Sequence, residues 1–236
     1  MRRERIHAAR EDFAALIGCW QHLCVNRCVP SAEAILAGLT TIANEWWTVA
    51  VFWHVYVAVL LLAIAMGWAL SVRRLGTLLA LPLLSVSALA WASHNPFNGA
   101  LCATLSLVLL TIARRLGDER VTIASWPSVL AGGALVAFGG TYPHFLETKP
   151  WSLYVIAAPL GLLPCPTLSA LTGLTLIVSG FRSTAWNVTL AGAALLYGAI
   201  GVFHLAVTMD IALFAGATAL VAAVALRRRS PQPINA

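Results

Sequence analysis

The sequence predicts an all-α fold, a polytopic transmembrane helical bundle of about seven spans plus a short re-entrant or interfacial segment. Three observations carry this. Only 10% of the 236 residues are charged, against roughly 25% in soluble domains. Hydrophobic residues make up 60% and the mean hydropathy is +0.83, so lipid is the solvent for most of the chain. The apolar runs are also continuous, whereas a β-barrel needs short strands that alternate in polarity.

Residues 1–44 read as an N-terminal extension. The stretch lacks the apolar core of a signal peptide and carries Arg2, Arg3, Arg5, Arg10 and Arg27. Cys19, Cys24 and Cys28 with His22 suggest a metal or iron–sulfur patch, but C-x4-C and C-x3-C fit no common site. The other reading is a start assigned too early, with the natural chain beginning near Val29 or Pro30.

Residues 45–226 form the transmembrane domain. Spans are expected near 45–71, 75–93, 97–115, 124–142, 165–181, 185–203 and 207–226, each close to the ~20 residues that cross a bilayer. Residues 151–163 are apolar but short and hold Pro159, which reads as the re-entrant or interfacial segment. Trp46, Trp47, Trp91, Trp126, Trp151 and Trp186 lie near span ends as interface anchors. Gly132, Gly133, Gly139 and Gly140 let a neighbouring helix approach the fourth span closely. Residues 227–236 are a cytoplasmic tail.

Orientation follows from the arginines. If Arg73 and Arg74 are cytoplasmic, alternate crossings bring Arg114, Arg115, Arg182 and Arg227–Arg229 to that side. Counting 151–163 as a full span breaks the pattern. The net charge of +6 therefore reflects membrane topology and not a nucleic-acid surface. The expected location is a bacterial inner membrane with a cytoplasmic C-terminus.

That topology gathers polar groups on the outer face. His94 ends the second span there, and His144, Glu147 and Lys149 occupy an outer loop. Cys165 opens the fifth span, His204 and Asp210 flank the last outer turn, and His54 lies in the outer half of the first span. Ionisable groups in a membrane are costly and point to function. Cys165, His94, His144 and His204 suit a transition metal ion, or the face binds a small polar solute. Scattered interfacial residues are the alternative. A haem would need two histidines at matching depth. His54 is about nine residues inside its span, roughly 14 Å by helical rise, whereas His204 is at an end, so haem is not expected.

Asn95 and Asn98 fit a helix start, capping free N–H groups around Pro96, and such a terminus also attracts anions. In Pro164-Cys165-Pro166-Thr167, Pro166 suits a first helical position and puts Cys165 at the N-cap. The helix dipole there favours a thiolate, a metal ligand or redox thiol. A structural cysteine is the other reading.

The turns "GLLPCPT" and "HNPFNGAL", with the closing "TMDIALFAGA", resemble a bacterial inner-membrane family known only as domain of unknown function 6064. The resemblance runs from about residue 31 to 226 and is carried by Pro164, Cys165, Pro166 and Thr167, by Asn95, Pro96 and Asn98, and by Asp210. "IANEWW" at 42–47 is a weaker match. The histidines lie outside the pattern. The resemblance implies a fold and no activity.

The expected function is binding or transport of a small solute or metal ion from the outer face, through Asn95, Asn98, Cys165, Thr167 and Asp210. One alternative is a non-catalytic anchor or subunit with a protein partner or a second copy. The other, a thiol-dependent oxidoreductase, would need a second outer sulfur, and Cys102 is poorly placed for it. No nucleophile–base arrangement is recognisable, so no enzyme reaction is assigned.

Overall fold

The structure, a computed structural model, describes residues 31–68, 70–145 and 150–229. Cys19, His22, Cys24, Cys28, Glu147 and Lys149 lie outside the described residues. The chain divides into two units, Met1–Ala37 and Gly38–Ala236. Of the first, residues 31–37 are described, and there Ser31 Oγ caps a helix by accepting from Ala34 N at 3.2 Å.

Nine α-helices occur among the described residues: α1 (Ala32–Glu45), α2 (Trp47–Ala65), α3 (Val72–Ala92), α4 (Pro96–Arg114), α5 (Trp126–Gly140), α6 (Tyr154–Ala157), α7 (Pro164–Ile177), α8 (Thr184–Ala199) and α9 (Ile211–Arg229). One isolated bridge, Ser71 to Arg120, is the β-type pairing found there. Helix α1, all but its last residue Glu45, falls inside the stretch expected to be an extension.

Among the described residues, five helices are long and apolar enough to cross a membrane: α2, α3, α4, α8 with the turn after it, and α9 with the turn before it. The other two expected spans are shorter, 15 residues in α5 and 14 in α7. Fourteen residues rise about 21 Å, less than the ~30 Å hydrocarbon core. Gly139 and Gly140 end α5, and a left-handed turn over Ser179–Arg182 follows α7.

Helix α3 runs through Pro82. A proline gives no N–H to the carbonyl four residues back. That carbonyl belongs to Leu78, and the Tyr56 hydroxyl of α2 donates to it at 3.0 Å. In an apolar interior such a replacement keeps the helix intact.

Helix α7 is the centre of the bundle, and all its residues but Cys165 are buried. It packs against α5, α8, α9 and α3. Two glycines let α5 approach its backbone. A Cβ on Gly132 would collide with Gly173 O and one on Gly139 with Pro166 O, whereas Gly133 faces open space. The close approach therefore uses two of the four expected glycines.

Residues 158–163 are irregular yet buried, which the packed bundle permits. Gly161 has φ +71°, and a Cβ there would collide with the Trp53 ring. Glycine is required on both counts. Trp186, expected as an interface anchor, is instead fully buried, with Nε1 donating to Thr175 Oγ1 at 3.1 Å. Trp46, Trp91 and Trp126 are exposed at helix ends.

Helices α3, α5 and α8 run one way and α4, α7 and α9 run back. One end of the bundle carries the 70–73 and 116–121 stretches, where Arg73 Nη1 meets Asp118 Oδ2 at 3.1 Å. The opposite end carries Asp210.

Candidate functional site

Asp210 closes a 3-10 turn, Thr208–Asp210, that feeds α9. Its position depends on the preceding irregularity. Helix α8 continues as a π turn over Ile200–His204, with Leu205 N bonded to Ile200 O at 3.0 Å. The chain then reverses through Ala206 at φ 55°, and Val207 N bonds to Gly201 O at 2.8 Å. This folds the Asp210 carboxylate against Gly201, where any Cβ would collide with Oδ2. π turns of this kind recur at functional sites.

The carboxylate is 2% exposed. Tyr142, from the loop after α5, donates its hydroxyl to Oδ1 at 2.6 Å. The Cys165 thiol donates to Oδ2 at 3.1 Å. Among the described residues no ion pair reaches Asp210, although His144 is close enough to interact with it electrostatically. Three segments distant in sequence thus converge on one buried acid.

Cys165 is not the N-cap. Leu163 holds that position in extended conformation (φ −115°, ψ 149°), with Pro164 as the first helical residue. A residue before proline is driven out of the helical region, so Pro164 and not Pro166 sets the start. The two prolines remove N–H groups that a first turn would leave unpaired. Cys165 acts as a thiol donor to Asp210, which replaces the thiolate expected from the helix dipole. Thr167 is structural: its Oγ1 accepts from Gly161 N at 2.8 Å and donates to Leu163 O at 2.6 Å. It closes the buried turn on which the cysteine stands.

A second cluster lies beside the first. Tyr197 donates to Asn98 Oδ1 at 3.2 Å and lies 3.3 Å from Cys102 Sγ. Asn95 caps α4 by accepting from Asn98 N at 3.2 Å. A Cβ on Gly198, the residue after Tyr197, would lie 3.3 Å from Asp210 O. Both cysteines are free.

The expected residues therefore divide. Asp210 and Cys165 meet directly, Asn98 belongs to the adjoining cluster, and Asn95 and Thr167 hold backbone. His94 and His204 are exposed, with His94 at φ 57°, while His144 is half-buried with its ring 4.2 Å from that of Phe145. No three His, Cys, Asp or Glu side chains among the described residues are grouped to hold a metal ion. The set Cys165, His94, His144 and His204 is thus not assembled. His54 Nδ1 and Nε2 each lie 2.8 Å from a carbonyl, of Ala50 and Gly140. Neither nitrogen is open to a ligand.

Tyr142 and Tyr197 were missed from the sequence. The available signal was the phenol itself, which needs a partner when buried in an apolar run. Comparison with protein-family models, curated proteins and solved structures finds no match.

Proposed function

We propose that the chain is an integral membrane protein that crosses seven times, with α5 and α7 as the short crossings. It binds and moves a small cationic solute or metal ion at Asp210, taken from the outer face. One observation carries this reading: a carboxylate buried to 2% exposure, bonded to a phenol and a thiol but to no cation among the described residues. An unpaired carboxylate charge is costly in such surroundings. Beyond the influence of half-buried His144, the site holds either a proton or a positive ligand, and exchanging one for the other is the elementary step of a proton-coupled carrier. When the cation binds, Asp210 gives its proton to water. When the cation leaves, it takes one back.

The thiol and phenol polarise toward Asp210 and hold its oxygens in place. With no grouped imidazoles, a cation that accepts one carboxylate fits better than a transition metal that requires three or four side-chain ligands. The arginine-bearing end is read as cytoplasmic, in an inner membrane. Kinship with domain of unknown function 6064 belongs to the same proposal. Its support is that the Pro-Cys-Pro-Thr turn, the Asn-Pro-x-Asn turn and Asp210 all carry specific bonds.

The test is proteoliposomes holding a luminal pH dye, challenged in turn with Na(I), K(I), Mn(II), Zn(II) and methylammonium. At least one cation should raise luminal pH as protons exchange outward. Asp210→Asn should abolish the response, and Tyr142→Phe and Cys165→Ser should weaken it while eluting as the parent does. A response that survives Asp210→Asn, or no response to any of the five cations, overturns the reading.

A further inference from the structure

A recess with both charged and apolar lining residues lies at the end of the bundle opposite Asp210. It has a volume of about 210 Å³ and is lined by Val72, Glu119, Arg120, Thr122, Val178, Phe181 and Arg182. Its walls are built, not incidental. The 70–72 and 119–121 stretches pair antiparallel, with Val72 N on Glu119 O at 2.9 Å and Val121 N on Leu70 O at 3.1 Å. Arg73 Nε fastens the same loop through Leu116 O at 3.0 Å. Ala124 N on Ile177 O, at 2.8 Å, ties the next residues to the end of α7.

The third wall is strained. Ser179, Phe181 and Arg182 all adopt left-handed backbone, at φ 56°, 49° and 53°. Non-glycine residues there cost about 1 kcal/mol or more each, and such strain collects at ligand sites. The turn is held by Phe181, whose ring packs edge-on against Trp186 at 5.0 Å. Its result is that Arg182 is delivered to the recess beside Arg120. Both arginines are exposed, and neither has an ion-pair partner among the described residues.

The lining residues thus comprise two arginines, a glutamate whose carboxylate lies against Gly117, a threonine and three apolar residues. We propose that this recess binds a zwitterionic phospholipid headgroup of the ethanolamine type. Arg120 and Arg182 take the phosphate, Glu119 takes the ammonium, and Val72, Val178 and Phe181 cover the glycerol. Guanidinium forks match phosphate oxygens, and basic recesses at this membrane surface are where headgroups dock. The volume falls below the roughly 300 Å³ at which drug-sized pockets begin, which suits a headgroup and not a whole lipid. A free phosphate shares the arginine chemistry but has no use for Glu119. The proposal does not depend on Asp210.

The experiment is native mass spectrometry of the delipidated protein in detergent. It is titrated with phosphatidylethanolamine, phosphatidylcholine, phosphatidylglycerol and inorganic phosphate. Ethanolamine lipid should bind tightest. Arg120→Ala and Arg182→Ala should each weaken it about tenfold, with Arg182→Lys recovering part. Glu119→Gln should erase the preference for ethanolamine over glycerol lipid while leaving phosphate-dependent binding. Equal binding of all three lipids, competition by inorganic phosphate at lipid concentrations, or indifference to both arginine substitutions overturns it. Membrane fractionation of the expressed chain reads the membrane assignment separately.

Discussion

The Tyr142 hydroxyl lies 2.6 Å from Asp210 Oδ1, across 68 residues of sequence, and so joins the loop after α5 to the start of α9. A hydrogen bond contributes about 0.5–1.5 kcal/mol net between neutral groups and about 1.5–3 kcal/mol when one partner is charged, so the pair lies within about 0.5–3 kcal/mol. Tyr142→Phe should destabilise the protein by about that amount, read by thermal unfolding in detergent. In a double cycle with Asp210→Asn the two losses should overlap. Additive losses would mean that the pair does not interact.

Tyr56 and Pro82 are coupled through Leu78 O. Tyr56→Phe leaves that part-buried carbonyl without a donor, at a cost of about 1–3 kcal/mol. Pro82→Ala returns an N–H to the same carbonyl. The double variant Tyr56→Phe, Pro82→Ala should therefore unfold at a higher temperature than Tyr56→Phe alone. If it unfolds lower, the hydroxyl is not standing in for the missing helix bond.

Two glycines give opposite expectations. Gly161→Ala imposes a left-handed alanine and a collision with Trp53, together worth about 2–5 kcal/mol. Little monodisperse protein should be recovered. Gly133→Ala faces open space in a helix and should be neutral or stabilising by up to about 1 kcal/mol. Purification yield and unfolding temperature of the two variants check this, and equal behaviour would refute the packing argument.

The two ends of the bundle should label from opposite sides of a membrane. In a background lacking native cysteines, an impermeant maleimide should modify His94→Cys and His204→Cys from the outside of whole cells. Arg120→Cys and Arg182→Cys should react only after lysis. All four residues are exposed. Labelling of His204→Cys and Arg182→Cys from the same side would remove the proposed topology.

The helices were legible because apolar runs between arginine clusters mark them directly, and each of the seven expected stretches holds one. Their ends were less so. The sequence points to residue 165 as the cap, whereas the effect of a proline on the residue before it acts at Leu163, two positions earlier. Asp210, Cys165, Asn95 and Asn98 were found from their chemistry in apolar surroundings. Tyr142, Tyr197 and the burial of Trp186 were not, because their partners come from remote segments. Nothing local distinguishes a tryptophan bonded to Thr175 from one at an interface.

The π turn at Ile200–His204 makes the Asp210 centre sensitive to chain length. It holds one residue more than an α-helical turn would need, and each residue added to a helix rotates the chain beyond it by about 100°. Deleting Phe203, whose side chain is 81% exposed, would let α8 close as regular helix. Every side chain around the acid would survive, yet Asp210 would no longer meet Tyr142 and Cys165. A single-codon deletion at this point thus separates the acid from its partners, and a single-codon insertion in an unbroken helix is a route by which such a centre arises.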